Sequence, residues 1–533
     1  MNNKYKELVR LINMMTEAEK RGFTTALKDR IRGEGKNYPV ALIIFNILDQ
    51  GEEFSEQQFL KKLKKAIPNP EQQKKVIARL PVERRLLYER LMRFLRNANG
   101  RHYPSIHIKE LIADAKILME RGLFDLAQQE LDRARAKALE IDSSLAILEI
   151  NREERTLVYT NITDGEKRKK RIEYLIKEAE EYRGRFEQES YYQDLYERAN
   201  TNLTKGPPMT AYRKKLVEEI MQEERHLDQL NQLPGLSGNR LVNTFAWLTV
   251  SMDETRHLSR YYQLHFQWWE DHQKQMIENP YRYMLSMGNI MSQCVDLQDN
   301  ATFVTVRDRM KKALIFLPHR ELAEFRFINR RLFSWYLNNK ELDKARELTK
   351  VMEAGMKKFS TVLQLEVLIG VESNILSLNF ICGNFRDALV VVKRSKRFQN
   401  EPVMLNVQYM AALLGLICVY ETTANEISTA QQDSDDRGDP LKSHIRRIHR
   451  FFQQHALSAQ SLEMTVLEFL KKIVYADVQV RTVILTEMKN YLTPYTQKAS
   501  GKTTFGVHEL MMWLESQLQH KPIRQVQMES EYP

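Results

Sequence analysis

Three cysteines in 533 residues leave no basis for a disulfide framework. Cys294, Cys382 and Cys418 stand far apart inside apolar helical patterns, and no two have metal or redox spacing. A reducing, cytoplasmic setting is the expectation that follows. Glycine and proline are also scarce, at 19 and 15 residues, which excludes an all-β chain built on many tight turns. The longest apolar run, residues 409 to 420, is too short to cross a bilayer, and residues 1 to 10 form an amphipathic charged start without a signal-peptide core. No membrane partner is expected. Nor is there a phosphate-cradling glycine loop, a nucleophile elbow, a zinc pattern or a dinucleotide fingerprint. The sequence therefore nominates no catalytic residue and no cofactor.

What the chain does contain is helix. Hydrophobic residues make up 43% and charged residues 28%, a soluble balance, and long amphipathic runs with few breakers predict an all-α protein. The length exceeds a single hydrophobic core, so several domains or a repeat array are expected. The net charge of +11 is unevenly spread: residues 1 to 100 hold 21 Lys and Arg against 12 Asp and Glu. The excess of +9 there leaves only +2 for the remainder.

The segment from Ile108 to Leu139 organises the rest. Leu111, Ala115 and Leu118 share a helical face, Gly122 interrupts it, and Ala127, Leu131 and Ala134 form a second stripe after Phe124. Small residues at Ala115 and Ala127 allow two antiparallel helices to approach, and Gly122 permits a left-handed turn between them. Similar positions recur in Cys294, Leu297, Phe303, Val306, Met310, Ala313 and Pro318, again in Phe333, Tyr336, Leu342 and Ala345, and again in Leu376, Gly383, Phe385, Ala388 and Val392. The small position falls at 306, 345 and 388, intervals of 39 and 43 residues. This pattern resembles the tetratricopeptide (TPR) repeat, in degenerate copies longer than the standard ~34 residues. With the segment Glu17 to Phe23 and the entry Lys36, Asn37 and Tyr38, the chain is similar to uncharacterised bacterial TPR-like proteins, which bring no function with them. The resemblance implies a TPR-like helical-hairpin solenoid over residues 104 to 430.

Residues 1 to 103 are expected to form a basic helical module. Thr16 caps the helix that follows it, and Phe59, Leu60 and Leu63 line one side of a helix that carries Lys61, Lys62, Lys64 and Lys65. Short helices with tight turns are compatible with a helix-turn-helix that binds nucleic acid, or with a solvated helical cap. Residues 166 to 200 read as a long charged helix with a narrow apolar stripe, compatible with a coiled-coil-like arm. The polar run 431 to 440 is the best linker. Residues 441 to 520 are expected to form a C-terminal helical region that caps the array, and 521 to 533 a disordered tail.

The most unusual composition lies between Glu254 and His272. His257, Tyr261, His265, Trp268 and His272 recur at spacings of four, four, three and four, one helix face. Such a face could line a peptide groove, because flat amphipathic rings bind at low entropy cost. Trp269, Phe266 and Tyr262 would then face the core. The competing expectation is that the whole face is buried, with its histidines bonded to carbonyls. Glu223 with His226, and Glu254 with His257, match the Glu-x-x-His spacing of di-metal carboxylate sites and form the only metal foothold. The leading expectation is a non-catalytic scaffold that binds a peptide or partner helix. The second is a regulator that binds nucleic acid through residues 1 to 100, and the third, remote, is a metal-dependent enzyme.

Overall fold

The computed structural model describes residues 3–33, 40–49, 56–99, 103–203, 210–252, 258–360, 362–429, 440–458, 460–496 and 505–529. Every regular element among them is a helix, so the all-α expectation holds. The chain divides into two compact units, Met1–Ser286 with Ala313–Arg320, and Met287–Lys312 with Glu321–Pro533.

The first unit opens with six helices, Asn3–Asn13, Glu17–Gly33, Val40–Asp49, Glu56–Ala66, Pro70–Ala78 and Leu80–Asn99. They enclose their own core, in which Ile12, Phe23, Ile44, Phe45, Phe59, Leu63, Leu87 and Leu91 are buried. Thr16 caps the second helix reciprocally: Glu19 N–H donates to Thr16 Oγ1 at 3.2 Å and Thr16 N–H donates to Glu19 Oε2 at 2.7 Å. A separate core begins at Ile108, where the helices Pro104–Glu120, Phe124–Glu140, Ser144–Asn161 and Gly165–Asn202 pack side by side in antiparallel succession. The 38-residue helix Gly165–Asn202 does not stand out as an arm. It lies along Ser144–Asn161 and Ser237–Met252, burying Leu175, Ala179, Tyr192, Leu195 and Ala199. Arg135 and Arg171 converge on Glu154, whose carboxylate is buried, while Asn151 donates to Leu175 O and to Glu178, each at 2.8 Å. This ties three consecutive helices by charge-assisted bonds as well as by apolar contact.

One turn recurs. At Gly122 the backbone is left-handed, φ 73°, and Leu123 N–H donates to the carbonyl of Leu118 five residues back. Gly383 repeats it with φ 73° and Asn384 N–H donating to Asn379 O. The same left-handed residue and five-back bond appear at Asp142, Gln298 and Lys340, where no glycine marks the turn. Each satisfies orphan carbonyls of one helix and reverses the chain into the next. Within the second unit these turns stand at 298, 340 and 383, intervals of 42 and 43 residues, and again at Ala456 and His520 at wider intervals. Ala127, Val306, Ala345 and Ala388 are all inaccessible to solvent.

The second unit carries one large core running from Phe325 to Ile523. It joins the helices Leu342–Phe359, Leu365–Ile381, Phe385–Ser395 and Leu405–Thr429 to Pro440–Gln454, Leu462–Tyr475, Val478–Thr496 and Val507–Gln519. The C-terminal helical region expected to cap the array over 441 to 520 shares its core with the helices before it; of the expected linker 431 to 440, residues 431 to 439 lie outside the described residues. By length and composition Leu405–Thr423 could cross a membrane, a longer stretch than the apolar run 409 to 420. Its inward residues Met410, Leu413, Leu414, Ile417 and Cys418 are core positions of this unit. The tail expected to be disordered, 521 to 533, is corrected as far as residue 529, and 530 to 533 lie outside the described residues. Ile523–Glu529 is a helix whose Ile523 and Val526, one turn apart, are buried against its neighbours.

Candidate functional site

The aromatic segment forms the helix Leu258–Asp271, in the first unit. His257, with Glu254, lies outside the described residues. Tyr261, His265 and Trp268 are all buried, His265 wholly so, and His272 is half-buried. The expected groove is thus corrected: the face spaced at 261, 265 and 268 turns inward, and Trp269 is buried beside it. Tyr262 and Phe266, expected in the core, are only half-buried.

The neighbouring helix Ser237–Met252 explains the choice of face. Gly238 presents no side chain to Trp268; a Cβ there would sit 2.5 Å from the indole Nε1 and 2.6 Å from Leu230 O. Asn239 and Asn243 point their amides at His265 Nε2, at 2.7 and 3.1 Å, and Trp269 Nε1 approaches the same nitrogen at 3.3 Å. An indole N–H can only donate, so Nε2 is the unprotonated nitrogen and Nδ1 carries the ring proton. Burial drives the imidazole from its ordinary 6.5 down to about 3, keeping it neutral. Around this centre Trp268 meets Trp269 edge-on at 5.1 Å, Trp269 meets Tyr283 at 5.3 Å, and His272 stacks on Trp268 at 4.2 Å while bonding its carbonyl. The result is a polar-centred aromatic core. Asn239 and Asn243 lie 26 and 22 residues before His265, and no local pattern connects them to it.

Glu223 and His226 do meet, at 2.8 Å between Oε2 and Nδ1, but Tyr192 completes the group. Its hydroxyl donates to Glu223 Oε2 at 2.9 Å and stands 3.1 Å from His226 Nδ1, while Tyr191 donates to Oε1 at 3.1 Å. Burial, followed by the charge of Glu223, pushes the Tyr191 phenol up to about 12. The carboxylate is therefore engaged by two phenols that keep their protons at neutral pH. Among the described residues no set of three His, Cys, Asp or Glu side chains comes together in a manner suited to a metal ion.

Two surfaces remain open. Lys61, Lys64 and Lys65 on Glu56–Ala66 are exposed, and Lys62 is half-buried. In the helical ladder beyond residue 103, the turns at 121–123 and 162–164 fall at the same end, because four helices alternate in direction. Ile117, Leu123, Leu126 and Tyr159 lie toward that end of their helices and are between 44% and 63% exposed. Sequence periodicity missed this group, since residues beside turns escape the helical stripe. Compared with known proteins, the chain matches no family model, no curated protein and no solved structure.

Proposed function

We propose that the chain is a non-catalytic, TPR-like scaffold of the cytoplasm that binds a peptide or a partner helix on its hairpins. The recurring left-handed turn carries this reading. Its return at 298, 340 and 383, with a buried small side chain at 306, 345 and 388, is what a hairpin repeated along a chain requires. Hairpin arrays bind partners on surfaces laid out across consecutive repeats, and the apolar quartet Ile117, Leu123, Leu126 and Tyr159 spans three consecutive helices and the turn between the first two. Exposed apolar groups toward one end of a hairpin pair favour a protein ligand with an apolar face.

Affinity purification of the intact chain beside a Leu123→Asp, Leu126→Asp variant tests the idea. The expected result is a specific protein retained by the parent and lost by the variant, with melting unchanged. A partner retained equally by both removes this edge from the binding surface; no reproducible partner at all removes the scaffold reading.

A further inference from the structure

The charge excess of the N-terminal module is more localised than its total suggests. Residues 1 to 56 hold nine basic and nine acidic side chains, whereas 57 to 100 hold twelve basic and three acidic. All of the +9 lies in this second stretch, which is made of the last three helices of the module, Glu56–Ala66, Pro70–Ala78 and Leu80–Asn99, and their joints. Lys61, Lys64, Lys65, Lys74 and Lys75 are exposed, and among the described residues no carboxylate pairs with them. Glu89 is engaged by Arg85 at 2.8 Å.

The first two of these helices are joined by Ile67, Pro68 and Asn69, and the joint is held from both sides. Ile67 is buried in the module core. Asn69 Oδ1 accepts from the N–H groups of Glu71 and Gln72 at 2.9 and 3.3 Å. From inside the second helix, Gln73 Nε2 donates back to the carbonyls of Lys64 and Ile67 at 2.9 and 2.7 Å, closing the end of the first. The angle between the helices is therefore fixed by side-chain bonds as well as by packing. The second helix buries none of its nine residues fully. Gln73, Val76 and Ile77 rest half-buried on the module, and Gln72, Lys75 and Arg79, spaced by three and four, share an exposed face.

We propose that this segment binds duplex DNA, with Pro70–Ala78 entering the major groove and the lysines of both helices contacting the phosphates beside it. A major groove about 12 Å wide admits a single helix, and a helix held outward on a three-residue turn is the geometry that enters it. Gln72 and Arg79 are side chains that can reach base edges, and the five lysines supply sequence-independent attraction. A-form RNA offers no such entry, because its major groove is deep and narrow. A lipid surface would demand large apolar residues to insert, and on these three helices only Val82 and Tyr88 are exposed. This proposal is independent of the scaffold reading, since it uses none of the hairpin surface.

The test is fluorescence anisotropy of the full-length chain on a labelled random-sequence DNA duplex across a salt series. Five lysine contacts predict that affinity falls about 500-fold between about 50 mM and about 200 mM salt. Replacing Lys61, Lys64, Lys65, Lys74 and Lys75 by Gln should lower affinity at least about 100-fold at low salt with the melting temperature unchanged. Replacing the equally exposed Lys169, Lys170 and Lys177 by Gln should leave it intact. Gln72→Ala should leave binding to random duplex and its salt slope nearly unchanged, whereas Lys74→Gln alone should lower the slope by about one. The proposal is overturned if the parent fails to bind duplex DNA at low salt or if the five-lysine variant binds as the parent does. Tighter binding to duplex RNA of the same sequence, or to phosphatidylserine vesicles, overturns it equally.

Discussion

The indole N–H of Trp269 donates to Nε2 of His265, one helical turn earlier, at 3.3 Å. With the amides of Asn239 and Asn243 on the same nitrogen, every neighbour of that atom is arranged for a neutral ring. Protonation of Nε2 would set a new N–H against three others in a site without solvent. The folded-state value of about 3 lies below the unfolded 6.5, so the unfolded chain takes up the proton first as pH falls. Stability supported by this residue is complete above about pH 6.5 and is lost progressively toward pH 3, by a limiting amount on the order of 4–5 kcal/mol. Denaturant melts of the parent and of His265→Gln at several pH values would show it: the parent should lose more stability than the variant across that window. Equal slopes would mean that His265 does not stay neutral in the fold.

Glycines at two helical positions should respond in opposite directions. Gly238→Ala forces a methyl group against Trp268 and a backbone carbonyl, and a destabilisation of ~1–3 kcal/mol is expected. Gly184 lies inside Gly165–Asn202 with open space around it, so Gly184→Ala should stabilise by ~0.5–1 kcal/mol through helix propensity alone. Thermal melting of both variants beside the parent reads the sign directly.

Overpacking tests the hairpin crossings. Ala127 and Ala388 are inaccessible, each on the second helix of its hairpin. Ala127→Trp and Ala388→Trp should each cost ~1–3 kcal/mol or more, seen as a lower denaturant midpoint. A tryptophan accepted at either site without loss would show that the helices there do not approach closely.

Glu372 is a buried anion of the second unit. It accepts from Arg394 Nε at 3.0 Å, from Arg397 Nη2 at 2.8 Å and from the Ser395 hydroxyl, while both arginines reach solvent. Removing one partner of a fully buried pair costs ~3–5 kcal/mol. Because the guanidinium groups here can rehydrate, Glu372→Ala should cost less, ~1–3 kcal/mol. The effect should persist in high salt, since mobile ions cannot enter the site of a buried carboxylate. Urea melts at low and high ionic strength check both statements.

The sequence by itself determined the helices, the turns at Gly122 and Gly383 and the burial of Ala127, Val306, Ala345 and Ala388. These features are local: a spacing of three and four selects a face, a small residue permits an approach, and glycine relieves a left-handed backbone. It did not mark the equivalent turns at Asp142, Gln298 and Lys340, whose residues carry a weaker preference than glycine or none and are held left-handed by the helices on either side. It also could not choose between the two stripes of Leu258–Asp271, because Trp268 and Trp269 are adjacent and either stripe reads as apolar. That choice was made by Ser237–Met252, which brings Gly238 to receive one indole and Asn239 and Asn243 to meet His265 Nε2. The short helix Ile523–Glu529 likewise has too few residues to be stable alone, and it exists because the core beneath it buries Ile523 and Val526. Propensity and spacing act within a few residues, whereas the burial of a polar ring depends on partners that only tertiary packing brings within hydrogen-bond distance.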